Sequence, residues 1–166
     1  MCQLLDAQLT LRGQQGVRTM PAQDFSIGVY ETALQTGELL TKVTFPAQLP
    51  TMRWGFHEIS RRHGDFAMAG AIVGLELDSD QRLQDLRLVV FAVGDRAQRL
   101  ESVLQHFLGQ PLDAAAVDAM GLCVAAEVKP RSDLHASAAL RLELVHACVV
   151  RALLQALAPL EKDTYE

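Results

Sequence analysis

Cysteine is scarce in this sequence, and the few cysteines lie far apart. Cys2, Cys123 and Cys148 are the only three among 166 residues, and no Cys-x-x-Cys pair occurs. Iron–sulfur clusters, zinc sites and disulfide frameworks need closely spaced or evenly paired cysteines. The pattern therefore argues against all three kinds of site in this chain, and it suits a reducing cytoplasm.

Positive charge and long apolar runs are lacking too. The formal net charge is −5, and the basic residues are scattered apart from Arg61 and Arg62. Nucleic acids and anionic membranes bind proteins that carry a basic stripe, so we expect neither as a partner. Although 49% of the residues are hydrophobic, polar residues interrupt every run before membrane-spanning length, and the N-terminus does not resemble a secretory signal. We expect an acidic soluble protein in the cytoplasm.

The sequence also lacks a recognisable set of catalytic side chains. His106, His135 and His146 fall in predicted helices without a nucleophile or an acid at an informative spacing. No two histidine, cysteine or carboxylate residues follow a recognised metal-ligand pattern. The sequence therefore predicts neither catalytic residues nor a bound metal ion.

What the sequence does contain is a series of strands followed by helices. Alternating apolar residues predict six strands, at residues 8–12, 17–20, 39–45, 54–60, 66–77 and 83–93. Apolar residues at spacings of three and four predict three helices, at residues 97–108, 114–128 and 135–157. Asp113 is well placed to cap the second helix. In the last helix, six residues share related faces: Leu140, Leu144, Ala147, Cys148, Arg151 and Leu154.

This order of elements predicts an α+β fold. We expect an antiparallel sheet of three or more strands followed by three helices that pack on one face, preceded by a short strand-rich segment. Pro46 and Pro50 mark the predicted boundary, because proline restricts its own backbone and that of the preceding residue. The predicted domains are residues 1–48 and residues 49–166.

Residues 54–77 carry the most informative pattern, a β-hairpin. Side chains at 54, 56, 58 and 60 point to one face and those at 55, 57 and 59 to the other, while Gly64-Asp65 supplies the turn. The basic run Arg61-Arg62-His63 has two interpretations. It either neutralises a phosphate or an acidic partner, or it is a solvated turn, which is the commoner case.

This hairpin resembles a pattern of a known family, roughly Phe-x-Glu-x-x-Arg-Arg-x-Gly-Asp, then an aromatic residue and alanine. That pattern opens the C-terminal domain of the FAD-binding subunits of molybdenum hydroxylases, which include xanthine dehydrogenase and aerobic carbon monoxide dehydrogenase flavoproteins. Other blocks resemble the same subunits in the same order: Pro21-Ala22-x-Asp24-Phe25, Gly37-Glu38-Leu39-Leu40-Thr41, Gly109-x-Pro111-Leu112 and Glu127-x-x-Pro130-x-Ser132-Asp133-Leu134. By this resemblance, residues 1–48 correspond to the end of the FAD-binding domain and residues 49–166 to the C-terminal domain.

The resemblance implies a cofactor, partners and site residues. FAD is the implied cofactor in a complete subunit or complex, where it passes electrons from iron–sulfur clusters to an acceptor. The implied partners are a molybdenum-cofactor subunit and an iron–sulfur subunit. The implied flavin contacts are Leu40, His57 and Phe66, and His57 stands where eukaryotic xanthine dehydrogenases have a lysine. Each also has a structural interpretation: a core strand leucine, an exposed strand histidine and an inward phenylalanine.

One departure from the family leaves two functions open. The glycine-rich segments that bind the FAD pyrophosphate precede the matching region in the family, and no strand, glycine-rich loop and helix N-terminus follow one another here. The chain is therefore either part of a flavin subunit that helps to form the flavin pocket, or a non-catalytic interaction and assembly domain. In both cases we expect the isolated chain to be inactive, with weak FAD binding or none.

Overall fold

A computed structural model describes residues 1–158 of the chain. These residues form an α+β structure in which antiparallel sheets precede two helices, so the predicted fold class is confirmed. The strands of the first part are β1 (Gln8–Gly13), β2 (Gly16–Pro21), β3 (Ser26–Gly28), β4 (Glu31–Thr32) and β5 (Leu39–Thr44). β3 pairs with β4, and the other three form one sheet in the order β2-β1-β5.

The first sheet buries little of its surface. Its central strand, β1, places Leu9 and Leu11 inside. Gly16 makes the turn to β2 with φ of 125°, a value that favours glycine. All six side chains of β5 are exposed, and β5 is an edge strand of this sheet. One side of the first part therefore presents an open strand with apolar side chains.

The second sheet carries the main core. Its strands are β6 (Arg53–Ile59), β7 (Ala69–Leu77), β8 (Leu83–Phe91) and β9 (Gln98–Arg99), hydrogen-bonded in that order and antiparallel. The helices are α1 (Ala114–Glu127) and α2 (Ala138–Leu157). α2 packs on β6 and β7, and α1 packs on α2. The predicted cap is confirmed, since Asp113 accepts a hydrogen bond from the Ala116 amide at 2.8 Å.

The helix predicted over residues 97–108 is wrong, and the three predicted helices become two. The segment pairs Arg99 with Val89 of β8, and ten residues later the Gly109 amide donates to the Leu83 carbonyl at 2.8 Å. The two anchor points on β8 lie six residues apart, about 20 Å along a strand. Ten residues of α-helix rise only about 15 Å, whereas a 3₁₀ helix rises about 20 Å. The chain accordingly forms two short 3₁₀ turns, Glu101–Val103 and Gln105–Phe107.

The connection between β6 and β7 is longer than predicted. The sequence pattern placed the second strand from residue 66, but the ladder ends at the pair of Ile59 and Ala69. Gly64 has φ of 88°, and the Asp65 amide donates to the Arg62 carbonyl, so the turn at Gly64-Asp65 is present within a loop of residues 60–68. Phe66 consequently lies in this loop, outside the strand.

The connection into α2 is built around Asp133. One carboxylate oxygen of Asp133 accepts from the amides of His135 and Ala136, and the Ser137 hydroxyl caps the helix by accepting from Leu140. These amides are satisfied before the helix starts, so α2 begins at Ala138 rather than at residue 135 as predicted.

Candidate functional site

His57 lies at the middle of β6 on the face that α2 covers. The alternation of β6 is as predicted: Gly55, His57 and Ile59 point towards the helices, while Trp54 and Phe56 are exposed. Gly55 permits this packing, because a Cβ atom there would lie 1.8 Å from the Ala152 carbonyl oxygen of α2. The missing side chain lets the helix backbone rest directly on the strand beside His57.

Arg151 is the partner of His57. Its guanidinium nitrogen lies 3.0 Å from the histidine Nε2. Partial burial, and next the positive charge of Arg151, lower the pKa of His57, and Glu58 opposes this shift. Neutral imidazole is therefore favoured over imidazolium at this place in the fold.

Phe66 is almost completely exposed in the loop between β6 and β7. Its relative exposure is 97%, so the structural interpretation of an inward strand residue is wrong. The loop is nevertheless anchored close to Phe66. The Met68 amide donates to the Ile59 carbonyl, and the Met68 carbonyl accepts from Arg141 at 2.5 Å. A large apolar side chain is thus presented to solvent from a held backbone.

Leu40 lies in the other sheet, on β5, and is 41% exposed. It pairs with Leu11 of β1 across the ladder, directly after a register shift. His57 and Phe66 belong to one hairpin, whereas Leu40 does not. In the part of the chain from residue 1 to 158, no hydrogen bond, ion pair or ring contact joins any two of the three. Their common role as flavin contacts stays a prediction.

The basic run has the geometry of a solvated turn. Arg61, Arg62 and His63 are all exposed. The carbonyl of Arg62 accepts hydrogen bonds from the Ser60 hydroxyl and the Asp65 amide, so it closes the loop. Within residues 1–158, none of the three side chains forms an ion pair.

The helix N-termini are occupied by the chain's own oxygen atoms. Asp113 caps α1, and Ser137 caps α2 while the Ser132 hydroxyl accepts from the Ala138 amide. Phosphate binding needs free amides at such an end, and a carboxylate there repels an anion. The two helix N-termini in the described residues therefore do not fit a pyrophosphate, whereas exposed apolar side chains and a neutral imidazole are groups that fit a planar, partly apolar ring.

Arg141, like Arg151, has a role that sequence reasoning missed. It is only 6% exposed, and it donates to the carbonyls of Met68 and Ala92 and to the Asp133 carboxylate. Arg141 thus ties the Phe66 loop to α2. The available signal was an arginine among the apolar residues of the last predicted helix, and the same signal applied to Arg151.

Other kinds of site find little support in residues 1–158. No group of three or more histidine, cysteine or acidic side chains is arranged to hold a metal ion in that range. Neither helix described there has both the length and the apolar character needed to cross a membrane. His146 lies 2.9 Å from Asp118, where it joins α2 to α1.

Comparison with known proteins identifies relatives along nearly the whole chain. Residues 54–156 match the CO dehydrogenase flavoprotein C-terminal domain, and residues 1–48 match the FAD binding domain in molybdopterin dehydrogenase. The carbon monoxide dehydrogenase medium chain of Hydrogenophaga pseudoflava is 30% identical over 90% of this chain and 52% of its own length. The nicotine 6-hydroxylase medium subunit of Paenarthrobacter nicotinovorans is 30% identical over 92% of this chain and 53% of its own.

A solved structure agrees with these matches. Quinoline 2-oxidoreductase from Pseudomonas putida 86 superposes with a TM-score of 0.86 at 33% identity, covering 93% of this chain and 53% of that one. The chain spans about half the length of the curated relatives that it matches.

Proposed function

The chain belongs to the family of FAD-binding medium subunits of molybdenum hydroxylases, and we propose that it forms the ring side of a flavin pocket in such an oxidoreductase. When bound, FAD would supply the electron transfer from iron–sulfur clusters to an acceptor, and the protein would position it. The pyrophosphate would be held by residues outside this chain's described part. Residues 1–48 would form the end of the FAD-binding domain, and residues 49–166 the C-terminal domain.

The exposed Phe66 is the observation that carries the proposal. An apolar side chain with 97% exposure on an anchored loop lacks a partner among residues 1–158. Burial of a phenylalanine side chain stabilises a complex by about 1.5–3 kcal/mol, so an aromatic ring placed against it gains affinity. His57, in the same hairpin, adds a hydrogen-bonding group, and Leu40 adds apolar surface from the other sheet.

The proposed partners are a molybdenum-cofactor subunit and an iron–sulfur subunit of the same complex. The relatives are medium chains and medium subunits, which agrees with an assembly of several chains. The three cysteines, Cys2, Cys123 and Cys148, are free, as suits a reducing compartment. We therefore propose a cytoplasmic location.

Co-purification with the neighbouring gene products tests the flavin role. The full chain, expressed with and without them, is examined for a flavin absorbance spectrum. We expect flavin in the complex and little or none on the chain alone. In the complex, Phe66→Ala is expected to lower the flavin-to-protein ratio. The unfolding free energy of the chain alone should change by less than about 0.5 kcal/mol, because the side chain is exposed there.

Leu134→Ala is the matched control, because Leu134 is 99% exposed and lies in the connection before α2. It should change neither the flavin content nor the stability. Flavin absent from every preparation, including the complex, would contradict the proposal and favour the non-catalytic interaction domain. Equal flavin content in the Phe66→Ala and Leu134→Ala complexes would remove Phe66 from the site.

A further inference from the structure

The close approach of α2 to β6 brings a charged side chain next to His57. Gly55 and His57 lie on the same face of β6, and Ala152, which touches Gly55, directly follows Arg151 in the helix. Because the helix backbone rests on the strand at Gly55, the side chain of Arg151 reaches His57 two residues along the strand. The 3.0 Å contact between them is therefore a consequence of how the helix is seated.

The direction of this hydrogen bond determines the protonation of the ring. An arginine side chain has five N–H donors and no acceptor. The Nε2 atom of His57 must then accept, which requires an unprotonated Nε2 and places the ring proton on Nδ1. Among the described residues, nothing accepts a hydrogen bond from Nδ1.

We propose that Arg151 is a positioning residue that keeps His57 neutral with its proton on Nδ1, so that β6 offers an outside ligand one free N–H donor beside a fixed positive charge. The ligand chemistry that fits is a ring with an acceptor atom that gains electron density, and identifying it as the flavin ring rests on the proposed function. Arg151 is exposed, so its charge is accessible to a ligand that contacts His57.

The other groups around His57 are compatible with this arrangement. From α2, Cys148 contributes a buried thiol whose pKa is raised to about 11, so it stays neutral. From β6, Glu58 favours protonation of the ring, but burial and Arg151 outweigh it. From β7, the residue paired with His57 is Ala71, which carries no charge. Arg151 is therefore the positive group that faces the imidazole.

Long-range ¹H–¹⁵N correlation spectra of the full, flavin-free chain test the inference directly, since they distinguish protonated from unprotonated ring nitrogens. We expect His57 at pH 7 to carry its proton on Nδ1. Arg151→Met removes the donor and the charge at an exposed position, and it should raise the pKa of His57 and release the preference for Nδ1. Arg151→Lys, which keeps a donor and a charge, should restore both properties in part.

Two further variants separate the contact from general effects. Arg131→Met makes the same substitution at an exposed arginine paired with Asp95, and it should leave the His57 spectrum unchanged. Gly55→Ala forces α2 away from β6 and should act on the His57 tautomer as Arg151→Met does, if the variant folds. A wild-type His57 protonated on Nε2, or an Arg151→Met spectrum equal to the wild-type spectrum, would overturn the inference.

The flavin part of the inference is measured separately in the co-purified complex. There, Arg151→Met should raise the Kd for FAD by about tenfold, the order of one lost hydrogen bond, and Arg131→Met should not. If the predicted tautomer is found but FAD affinity is unchanged in Arg151→Met, the positioning role stands and the flavin role of His57 is wrong. If the tautomer differs, the positioning role is wrong whatever the flavin content.

Discussion

Replacing the buried Arg141 tests how the Phe66 loop is held. Arg141 donates to the Met68 carbonyl at 2.5 Å, to the Ala92 carbonyl at 2.6 Å and to the Asp133 carboxylate at 2.7 Å. Arg141→Met keeps a long side chain of similar shape but removes every donor. The two carbonyls then lose their charged partner, and the loop of residues 60–68 loses its connection to α2.

The expected loss of stability is about 3 kcal/mol. Leaving a buried carbonyl without a partner costs about 1–3 kcal/mol, and two carbonyls, both of half-buried residues, are affected. Asp133 adds little, because its side chain is 48% exposed and water can replace the lost contact. The buried Nε of Arg141 has no hydrogen-bond partner among the described residues, so the wild-type arginine already carries a cost that its removal relieves. A loss of this size is a large part of the free energy of unfolding of a typical domain, which is about 5–15 kcal/mol.

Urea unfolding followed by far-ultraviolet circular dichroism measures this loss. With a denaturant slope of about 2 kcal/mol per molar, the midpoint should fall by about 1.5 M. Arg131→Met is the matched control, since its exposed ion pair with Asp95 should contribute less than about 1 kcal/mol. A loss in Arg141→Met that is no greater than the loss in this control would refute the reasoning about the two carbonyls that accept from Arg141.

Two further measurements follow from the charged and buried groups. Glu38 has its pKa lowered to about 2, chiefly by Arg18, and Asp133 has its pKa lowered to about 2 by the His135 amide and then by Arg141. Both carboxylates have higher pKa values in the unfolded chain. Their contribution to the free energy of unfolding is therefore complete above about pH 4.5 and is lost as the pH falls towards 2. A free energy of unfolding that stays constant over this pH range in urea titrations would contradict the assignment. Burial raises the pKa of the Cys148 thiol to about 11. Iodoacetamide at pH 8 should therefore label the half-buried Cys2 and Cys123 first and Cys148 only on unfolding. Equal labelling rates of the three cysteines in the folded chain would show that Cys148 is open to solvent.

The predicted strands were located well, and the role of the predicted site residues stays a prediction. Alternation along β6 correctly assigned Gly55 and His57 to one face and Phe56 to the other, because this pattern is a local property of a strand. The helix at residues 97–108 failed although its apolar residues Leu100, Leu104 and Phe107 are indeed buried. Periodicity reports which side chains are buried, but it does not report the distance that a segment has to span.

The last helix illustrates the same limit for side chains. Its extent was predicted within three residues, yet Leu140 and Leu154, both placed on related faces, are 40% and 51% exposed, while Arg141 is buried. Hydropathy disfavours a buried arginine. The three oxygen atoms that accept from Arg141 lie on residues 68, 92 and 133, and only the folded chain brings them to one point.

The sequence by itself determined the α+β class, most strands, the Asp113 cap and the family resemblance, because strand period, capping and short motifs depend on neighbours within a few residues. The tertiary structure alone decided that Phe66 is exposed, that two 3₁₀ turns replace a helix, and that Arg151 meets His57. These features depend on residues far apart in the chain, such as His57 and Arg151, which are 94 positions apart, and Gly55 and Ala152, whose close approach seats α2 on β6. No local pattern encodes a distance of that kind.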